Sequence, residues 1–205
     1  MRLIWVLAAL TATAAPGFAA AAESQNYITK AQRAILIDAG DGSVLFQHKP
    51  DELAPPASMS KLMTLAVVFK ALKSGQIKTS DEFLMSVNAW RKGGAPSGTA
   101  AMMVPVNTKT TLDELIKGIA IQSGNDACIA VAEGLSGSEA NFAKVMTEEA
   151  RRIGLNKSTF ANATGLHDEN HLMTVRELAL LARHLITEYP DYYQIFSQKE
   201  FQYKK

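Results

Sequence analysis

Apolar residues alternate with polar ones in two short segments near residue 40, and then recur every three or four positions along most of the chain. The segment "RAILIDAGDGSVLFQHK" has two apolar runs separated by Asp41 and Gly42, a pair typical of the turn of a β-hairpin. After a proline-bearing loop, "SMSKLMTLAVVFKALKSG" has helical spacing that ends at Gly75, and Ser58 can cap its first turn. The pattern predicts a strand pair followed by a buried helix.

Helices dominate the second half of the chain. The spacing of apolar residues predicts helices over residues 112–122, 126–135, 138–153 and 174–188, and the last begins with the capping-box spacing "TVRE". Residues 83–106 contain the glycine-rich loop "RKGGAPSG" and give no definite element, a composition that often borders a site. The fold class is therefore α/β. Because a two-stranded hairpin is marginal by itself, we expect further strands to complete its sheet.

The first 22 residues have the composition of a secretory signal peptide. Arg2 precedes an apolar run, Pro16 and Gly17 interrupt it, and "FAAAAE" supplies small residues for cleavage near Ala22. The run is too short to cross a membrane as a helix. We therefore expect residues 23–205 to form the exported, mature protein.

Composition and charge argue against a nucleic-acid partner and an internal disulfide. The 205 residues are 47% hydrophobic and 20% charged, as in ordinary globular proteins. The formal net charge is +1, and loss of Arg2 with the leader would remove it, so we expect no nucleic-acid partner. The single cysteine, Cys128, cannot form an internal disulfide, and its setting "DACIAVA" predicts a buried, inert thiol.

Ser58 and Lys61 are the first candidates for chemistry. Residues three apart on a helix share one face, so the lysine amine can reach the serine hydroxyl. A serine needs a base to take its proton, and a lysine desolvated at a helix start can have its pKa lowered enough to do so. The alternative is a helix cap beside a solvated lysine, because this spacing arises by chance about once in a chain of this size.

A second candidate lies in "IQSGNDA", where Ser123, Gly124 and Asn125 occupy the junction of two predicted helices. Such a turn can present a hydroxyl and an amide to the same cleft. The alternative is again a helix terminus, with Gly124 as the helix breaker. The order SxxK and then SxN is nevertheless that of the penicillin-recognising serine enzymes, whose third motif is KTG on a strand.

With these motifs the chain resembles the low-molecular-mass penicillin-binding proteins of the serine D-alanyl-D-alanine carboxypeptidase type. The resemblance extends through "AILIDAGDGSVLF", "PPASMSKLMT", "IQSGNDACIAVAE", "FANATGLHDENHLMT" and "RELALLARHLI". It implies a β-lactamase/transpeptidase-like fold, in which N-terminal and C-terminal strands share one mixed sheet beside an all-helical region.

The resemblance also implies a role for each motif residue. Ser58 would attack the carbonyl of the penultimate D-alanine of a peptidoglycan stem peptide, and Lys61 would take its proton. Ser123 would help to protonate the leaving D-alanine, Gly124 and Asn125 would bind the substrate, and Asn125 would also hold Lys61. β-Lactams would trap Ser58. The implied setting is the periplasm or the cell-wall side of the cytoplasmic membrane. We expect no cofactor and no metal, and membrane attachment is not evident in this chain although family members usually have an amphipathic anchor.

The KTG motif of this family does not occur in a usable place. "KSG" at residues 73–75 ends the SxxK helix, and "KTS" from Lys78 and "KTT" from Lys109 lack the glycine, so all three are interpreted as caps or loops. In the family the KTG strand binds the substrate carboxylate and supplies one oxyanion-hole N–H, whose loss costs about 10² to 10³ in rate. We therefore expect the 205 residues, taken literally, to be an incomplete catalytic domain with poor stability and little activity.

Four other interpretations remain to be weighed. His167 and His171 in "HDENH" suggest zinc, but Glu169 does not fit HExxH or HxxEH, which favours a hydrogen-bonded surface loop. A β-lactamase needs a Glu in an ExxLN arrangement, and Arg152 stands at that position. A DD-endopeptidase, which uses the same motifs, and a catalytically silent peptidoglycan-binding protein both stay open.

Overall fold

The computed structural model describes residues 28–203, so the predicted signal peptide lies outside the described residues. The fold is α/β, with strands and helices in the order β1 (Ala34–Ile37), β2 (Val44–His48), α1 (Lys61–Lys73), β3 (Glu82–Leu84), α2 (Val87–Gly93), β4 (Lys109–Thr111), α3 (Leu112–Gln122), α4 (Asn125–Ser136), α5 (Glu139–Arg152), α6 (Val175–Glu188) and α7 (Pro190–Tyr193). Short 3₁₀ turns cover Ala57–Ser60, Ala95–Ser97 and Gln194–Ser197.

The predicted hairpin is confirmed. β1 and β2 pair antiparallel, and the Asp38 N–H donates to the Ser43 carbonyl at 2.8 Å across the turn. Gly42 has a φ of +82°, a left-handed conformation that glycine adopts without steric cost. Within residues 28–203 the two strands pair only with each other, and Leu36 and Leu45 keep 55% and 51% of their surface exposed.

A second, smaller strand pair lies in the part of the chain where the sequence pattern was weakest. β3 and β4 pair antiparallel, with Phe83 opposite Thr110. The interpretation of "KTT" from Lys109 as a cap or loop is therefore wrong in part, because these three residues form β4. The last of them, Thr111, is also the N-cap of α3, and its side chain accepts the Glu114 N–H. The same region contains α2, which begins at the Ser86 cap.

The four predicted helices of the second half are confirmed with small changes at their ends. α3 covers the predicted residues, and α4 is one residue longer at each end. Ser138 and Thr174 are the N-caps of α5 and α6, each accepting a backbone N–H three residues on. No helix within residues 28–203 has the length and apolar content needed to cross a membrane.

α1 and α4 lie at the centre of the molecule. Ten of the thirteen residues of α1 are buried, and the first eight residues of α4 are all buried. α1 packs against α3, α5 and α6, whereas α4 packs against α2, α3, α5 and β3. Both candidate motifs therefore lie at the start of a helix that is buried among several other elements.

Candidate active site

The structure brings Ser58 and Lys61 together at the start of α1. The 3₁₀ turn exposes Ser58, while Lys61 is the first residue of the helix and only 4% exposed. The Lys61 Nζ is hydrogen-bonded to the Ser58 Oγ at 3.1 Å. The prediction that Ser58 caps the helix is wrong, because Pro56 is the N-cap of the turn and no side chain caps it. The serine hydroxyl faces the lysine instead.

Burial prepares Lys61 to act as a base. Desolvation lowers the pKa of its ammonium below the ordinary value of 10.5. Its second partner is the backbone carbonyl of Thr164, which accepts a hydrogen bond from Nζ at 2.7 Å. Cys128 is fully buried, as predicted, and burial raises the pKa of its thiol to about 12, so it stays protonated near the lysine. A neutral Lys61 amine can donate to Thr164 and accept from Ser58.

The turn between α3 and α4 presents the SxN residues to the same region. Ser123 ends α3 with a φ of +57°, a left-handed conformation that is uncommon outside glycine and often occurs at functional sites. A Cβ on Gly124 would lie 3.1 Å from the Met102 backbone N, so the loop approaches closely there. Ser123, Ser58 and Lys61 line one cleft.

The side chain of Asn125 has one polar atom that is hydrogen-bonded and one that has no partner among the described residues. Its Nδ2 donates to the Thr99 Oγ1 at 3.0 Å, and its backbone N–H donates to the Ala100 carbonyl at 2.8 Å. Its Oδ1 is buried without a hydrogen-bond partner among residues 28–203. The described residues show no hydrogen bond between Asn125 and Lys61, which differs from what the family resemblance implied. A buried, unpaired acceptor is costly unless a ligand satisfies it.

Asp126, which the sequence analysis did not single out, fixes the SxN turn in place. Its buried carboxylate accepts the backbone N–H groups of Met102 at 2.7 Å and Met103 at 2.9 Å. It also accepts from the Ala127 N–H at the start of α4. From the sequence, Asp126 could be recognised only as an acidic residue in the first turn of a helix, where aspartate is favoured. That position does not reveal which loop the carboxylate binds.

Two clefts meet at Ser58. One, of about 300 Å³, is lined by apolar residues that include Leu62 and Ile119 as well as Lys61 and Ser123. The other, of about 370 Å³, lies between Ser58, Asn125 and the segment Thr164 to His167. An extended substrate can therefore cross the serine with a part in each cleft.

A larger depression, of about 540 Å³, lies at the other end of α1. Its basic side chains are already paired, Lys70 and Arg152 with Glu149 and Lys73 with Glu188. The surroundings of Ser58 are the better candidate for an active site, because a hydroxyl and a desolvated amine meet there.

The histidine segment has a structural explanation. His171 is only 2% exposed, and its Nδ1 accepts the Ala161 N–H at 3.4 Å, so the surface-loop interpretation is wrong for this residue. Burial lowers the pKa of its imidazole, and its ring packs edge-on against Phe160. His167 is exposed beside the second cleft. Within residues 28–203, no group of three or more His, Cys, Asp or Glu side chains is placed to hold a metal.

Comparison with known proteins agrees with this geometry. A family described as D-alanyl-D-alanine carboxypeptidase matches residues 19–205. D-alanyl-D-alanine carboxypeptidase DacC of Escherichia coli (strain K12) is 39% identical over 172 residues, which are 83% of this chain and 43% of the relative. The corresponding DacA of Haemophilus influenzae is 35% identical over 175 residues, 85% of this chain and 44% of the relative.

A solved structure, penicillin binding protein 5 from Haemophilus influenzae, has a TM-score of 0.83 at 33% identity, covering 87% of this chain and 52% of that one. The chain thus spans less than half the length of these two curated relatives.

Proposed function

This chain belongs to the D-alanyl-D-alanine carboxypeptidase family, and we propose that it carries the nucleophile, the base and the middle motif of such an enzyme. The substrate is the D-Ala-D-Ala terminus of a peptidoglycan stem peptide. The observation that supports this most directly is the 3.1 Å hydrogen bond between the exposed Ser58 hydroxyl and the buried Lys61 amine. Such a pair is the minimum for nucleophilic catalysis by serine.

In the proposed acylation step, neutral Lys61 takes the proton from the Ser58 Oγ while that oxygen attacks the carbonyl carbon of the penultimate D-alanine. The bond from this carbon to the terminal D-alanine nitrogen then breaks, and the departing nitrogen receives a proton. Ser123 lines the same cleft as the Ser58 and Lys61 side chains, so its hydroxyl is the group proposed to deliver that proton and to receive in exchange the proton that Lys61 took from Ser58, which leaves Lys61 neutral again. Water later hydrolyses the Ser58 ester and releases the shortened peptide.

Asn125 and Gly124 serve substrate binding in this proposal. Asn125 lines the second cleft, and its buried Oδ1, which has no partner among the described residues, is the acceptor proposed to bind an N–H of the stem peptide. Gly124 leaves room for the close approach of the neighbouring loop. A β-lactam reacts at the same serine, but its acyl group keeps the opened ring attached, and the leaving amine therefore cannot diffuse away.

The place of action follows from the substrate. Peptidoglycan lies outside the cytoplasmic membrane, so an enzyme with this substrate must be exported. The signal-peptide composition of the first 22 residues supports export to the periplasm or the cell-wall side of the membrane.

The test is covalent labelling by a penicillin, followed by intact-mass and peptide mass spectrometry. The wild type for this test is a protein in which these residues are joined to a KTG strand of the family. It is expected to gain one penicillin mass, located on Ser58, and its Ser58→Ala variant to gain none, whereas residues 1–205 alone are expected to label poorly. Ser60→Ala is the matched control, because Ser60 lies in the same 3₁₀ turn and its buried Oγ has no partner in the described structure. Labelling of Ser58→Ala, or of a different residue in the wild type, would contradict the proposal.

An activity assay on the same proteins distinguishes an enzyme from a protein that only binds the peptide. Release of D-alanine from a synthetic stem pentapeptide is expected from wild type and Ser60→Ala, and not from Ser58→Ala. A silent binder would hold the pentapeptide equally well with either residue at position 58 and release no D-alanine.

A further inference from the structure

One side chain organises the turn that supplies the second partner of Lys61. The Asn162 Oδ1 accepts hydrogen bonds from the Thr164 backbone N–H at 3.1 Å, the Thr164 hydroxyl at 3.0 Å and the Gly165 N–H at 2.8 Å. Its Nδ2 donates to the Leu166 carbonyl at 2.9 Å. Asn162 therefore closes a five-residue turn, as asparagine side chains commonly do when they bond to the backbone just ahead.

This turn, residues 162–166, is attached to the helix that carries the nucleophile. The Thr64 hydroxyl donates to the Ala163 carbonyl at 2.7 Å, and the Lys61 Nζ donates to the Thr164 carbonyl at the same distance. Lys61 and Thr64 are three residues apart and share one face of α1. Two successive carbonyls of the turn are thus held by two successive polar side chains of the helix.

Gly165 brings the turn against the 3₁₀ segment that contains Ser58. Its φ is +81°, and a Cβ at this position would lie 2.0 Å from the Ala57 carbonyl oxygen and 2.6 Å from the Ser60 Oγ. At Gly165 the turn therefore lies directly against the backbone of Ala57 and the side chain of Ser60. The position of the Thr164 carbonyl relative to Ser58 is therefore set by the shape of the turn.

The Thr164 carbonyl matters because of the geometry of a neutral amine. Deprotonated Lys61 has two N–H bonds and one lone pair. An N–H held at 2.7 Å by a fixed carbonyl limits rotation about the last carbon–nitrogen bond, so that the lone pair can point to the Ser58 Oγ, 3.1 Å away. A small misplacement of a catalytic group can cost as much as about 10²-fold in rate.

We propose that Asn162 is a positioning residue for the base: it holds the Thr164 carbonyl where that carbonyl orients the Lys61 amine toward Ser58. The inference rests on the proposed function and adds to it a residue that touches neither Ser58 nor Lys61. Cys128 on α4 is the titratable group with a charge interaction at Lys61, and its raised pKa of about 12 keeps it neutral over the range in which the lysine titrates.

The test compares Asn162→Ala and Asn162→Asp with the wild type in acylation by a fluorescent penicillin, measured over a pH series and at several penicillin concentrations. Asn162→Ala is expected to lower the limiting acylation rate about 10- to 100-fold, with little change in half-saturating concentration. Asn162→Asp keeps the three accepted hydrogen bonds, so its limiting rate is expected within about threefold of wild type. Its added carboxylate raises the pKa of nearby Lys61, which moves the pH profile upward.

Asn170→Ala is the matched control, since Asn170 is exposed in the neighbouring loop. It is expected to have the wild-type rate and pH profile. The inference is overturned if Asn162→Ala acylates within twofold of the wild type, or if Asn162→Asp is as slow as Asn162→Ala and leaves the profile in place. The aspartate variant keeps the test decisive even where the alanine variant fails to fold.

A second readout separates this inference from the proposed function. The pKa of Lys61 can be measured by NMR titration of its ε carbon, which needs no catalytic activity. Because the carbonyl supports the charged form, the pKa of Lys61 is expected to be lower in Asn162→Ala than in the wild type. Equal values would overturn the inference, whereas a wild-type protein that no penicillin acylates would overturn the proposed function.

Discussion

The amine of Lys61 must lose its proton before it can act as a base, and its burial controls that step. Desolvation lowers the pKa of Lys61 below 10.5, so the free amine is present at lower pH than for a surface lysine. The acylation rate of Ser58 is therefore expected to rise with pH through this lowered pKa and to reach its plateau below pH 10.5. Stopped-flow or quenched measurements with a penicillin across a pH series check this expectation.

Lys61→Arg is the control for that profile. A guanidinium stays protonated throughout the range, so this variant is expected to show no acylation at any pH. A wild-type profile that is still rising at pH 10.5 would show that a different group, with an ordinary pKa, takes the proton.

At this scale the sequence predicted the contact between neighbouring residues of one turn but not the contacts between residues far apart in the chain. Ser58 and Lys61 were predicted to meet because three-residue spacing on a helix brings side chains together. The Thr164 carbonyl could not be predicted, since every residue has a carbonyl and this one lies 103 residues from Lys61 in sequence. The Asn125 contact with Thr99 escaped for the same reason: only the folded chain decides which polar groups become neighbours.

At the scale of helices and strands, capping residues predicted helix starts correctly where the backbone of the capping residue itself is extended. Ser138 and Thr174 are extended residues whose side chains accept N–H groups of the first turn. Ser58 does not cap, because it lies inside a helical turn that begins after Pro56. β3 and β4 have three residues each, too few to produce an alternating pattern, so their region gave no definite prediction.

A buried carboxylate joins two of these helices. Glu149 of α5 is 3% exposed and binds Lys70 of α1 at 2.6 Å as well as Arg152 one turn along. Burial by itself raises the pKa of Glu149, but the hydrogen bonds from Arg152 and Lys70 outweigh it, and the net pKa is below the ordinary 4.5. The stabilisation is therefore present above pH 4.5 and lost as the pH falls through the lowered value.

Glu149→Gln is expected to lower the free energy of unfolding by about 1 to 3 kcal/mol at neutral pH, because it removes the charge that the two cations share. Chemical denaturation at several pH values measures this. The difference from the wild type should shrink as the pH falls below 4.5 and the wild-type carboxylate becomes protonated. Glu148→Gln, at the exposed neighbouring position, should change little, and an equal loss in both variants would exclude a specific role for the buried pair.

At the scale of the whole molecule, the hairpin contacts α6 through β1, and two arginines of that helix add polar contacts. Arg183 of α6 donates to the Ala39 carbonyl at 2.9 Å and to the Gly40 carbonyl at 2.7 Å, directly at the hairpin turn. Arg176 on the same helix binds Asp51 just beyond β2. These arginines therefore bind the turn and the far end of the hairpin to α6, in addition to the contacts that β1 makes with that helix.

Arg183→Ala is therefore expected to loosen the hairpin while the helical core keeps its stability. Amide hydrogen exchange of β1 and β2 should become at least about tenfold faster, and that of α1 and α4 should remain unchanged, since local opening has its own free energy. Arg91→Ala, at an exposed position of α2, is the control and should leave both regions as they are. Uniformly faster exchange would instead indicate that Arg183 supports the entire fold.

The overall architecture was predicted mainly through the family resemblance, and its order of hairpin and helices is confirmed. Hydrophobic spacing alone placed the helices, because their buried faces repeat regularly over eleven to fourteen residues. The expected completion of the hairpin sheet by later strands stays a prediction, since β1 and β2 pair only with each other within residues 28–203.

The bond between Lys61 and the Thr164 carbonyl has a consequence for the order in which the chain acquires reactivity. Ser58 and Lys61 are neighbours as soon as their turn forms, but the carbonyl that orients the amine is 103 residues further on. During synthesis, a chain that has emerged only as far as α5 holds the serine and the lysine without the group that aligns them. The Ser58 hydroxyl is therefore expected to become reactive late, when the segment beyond residue 162 has folded back onto α1.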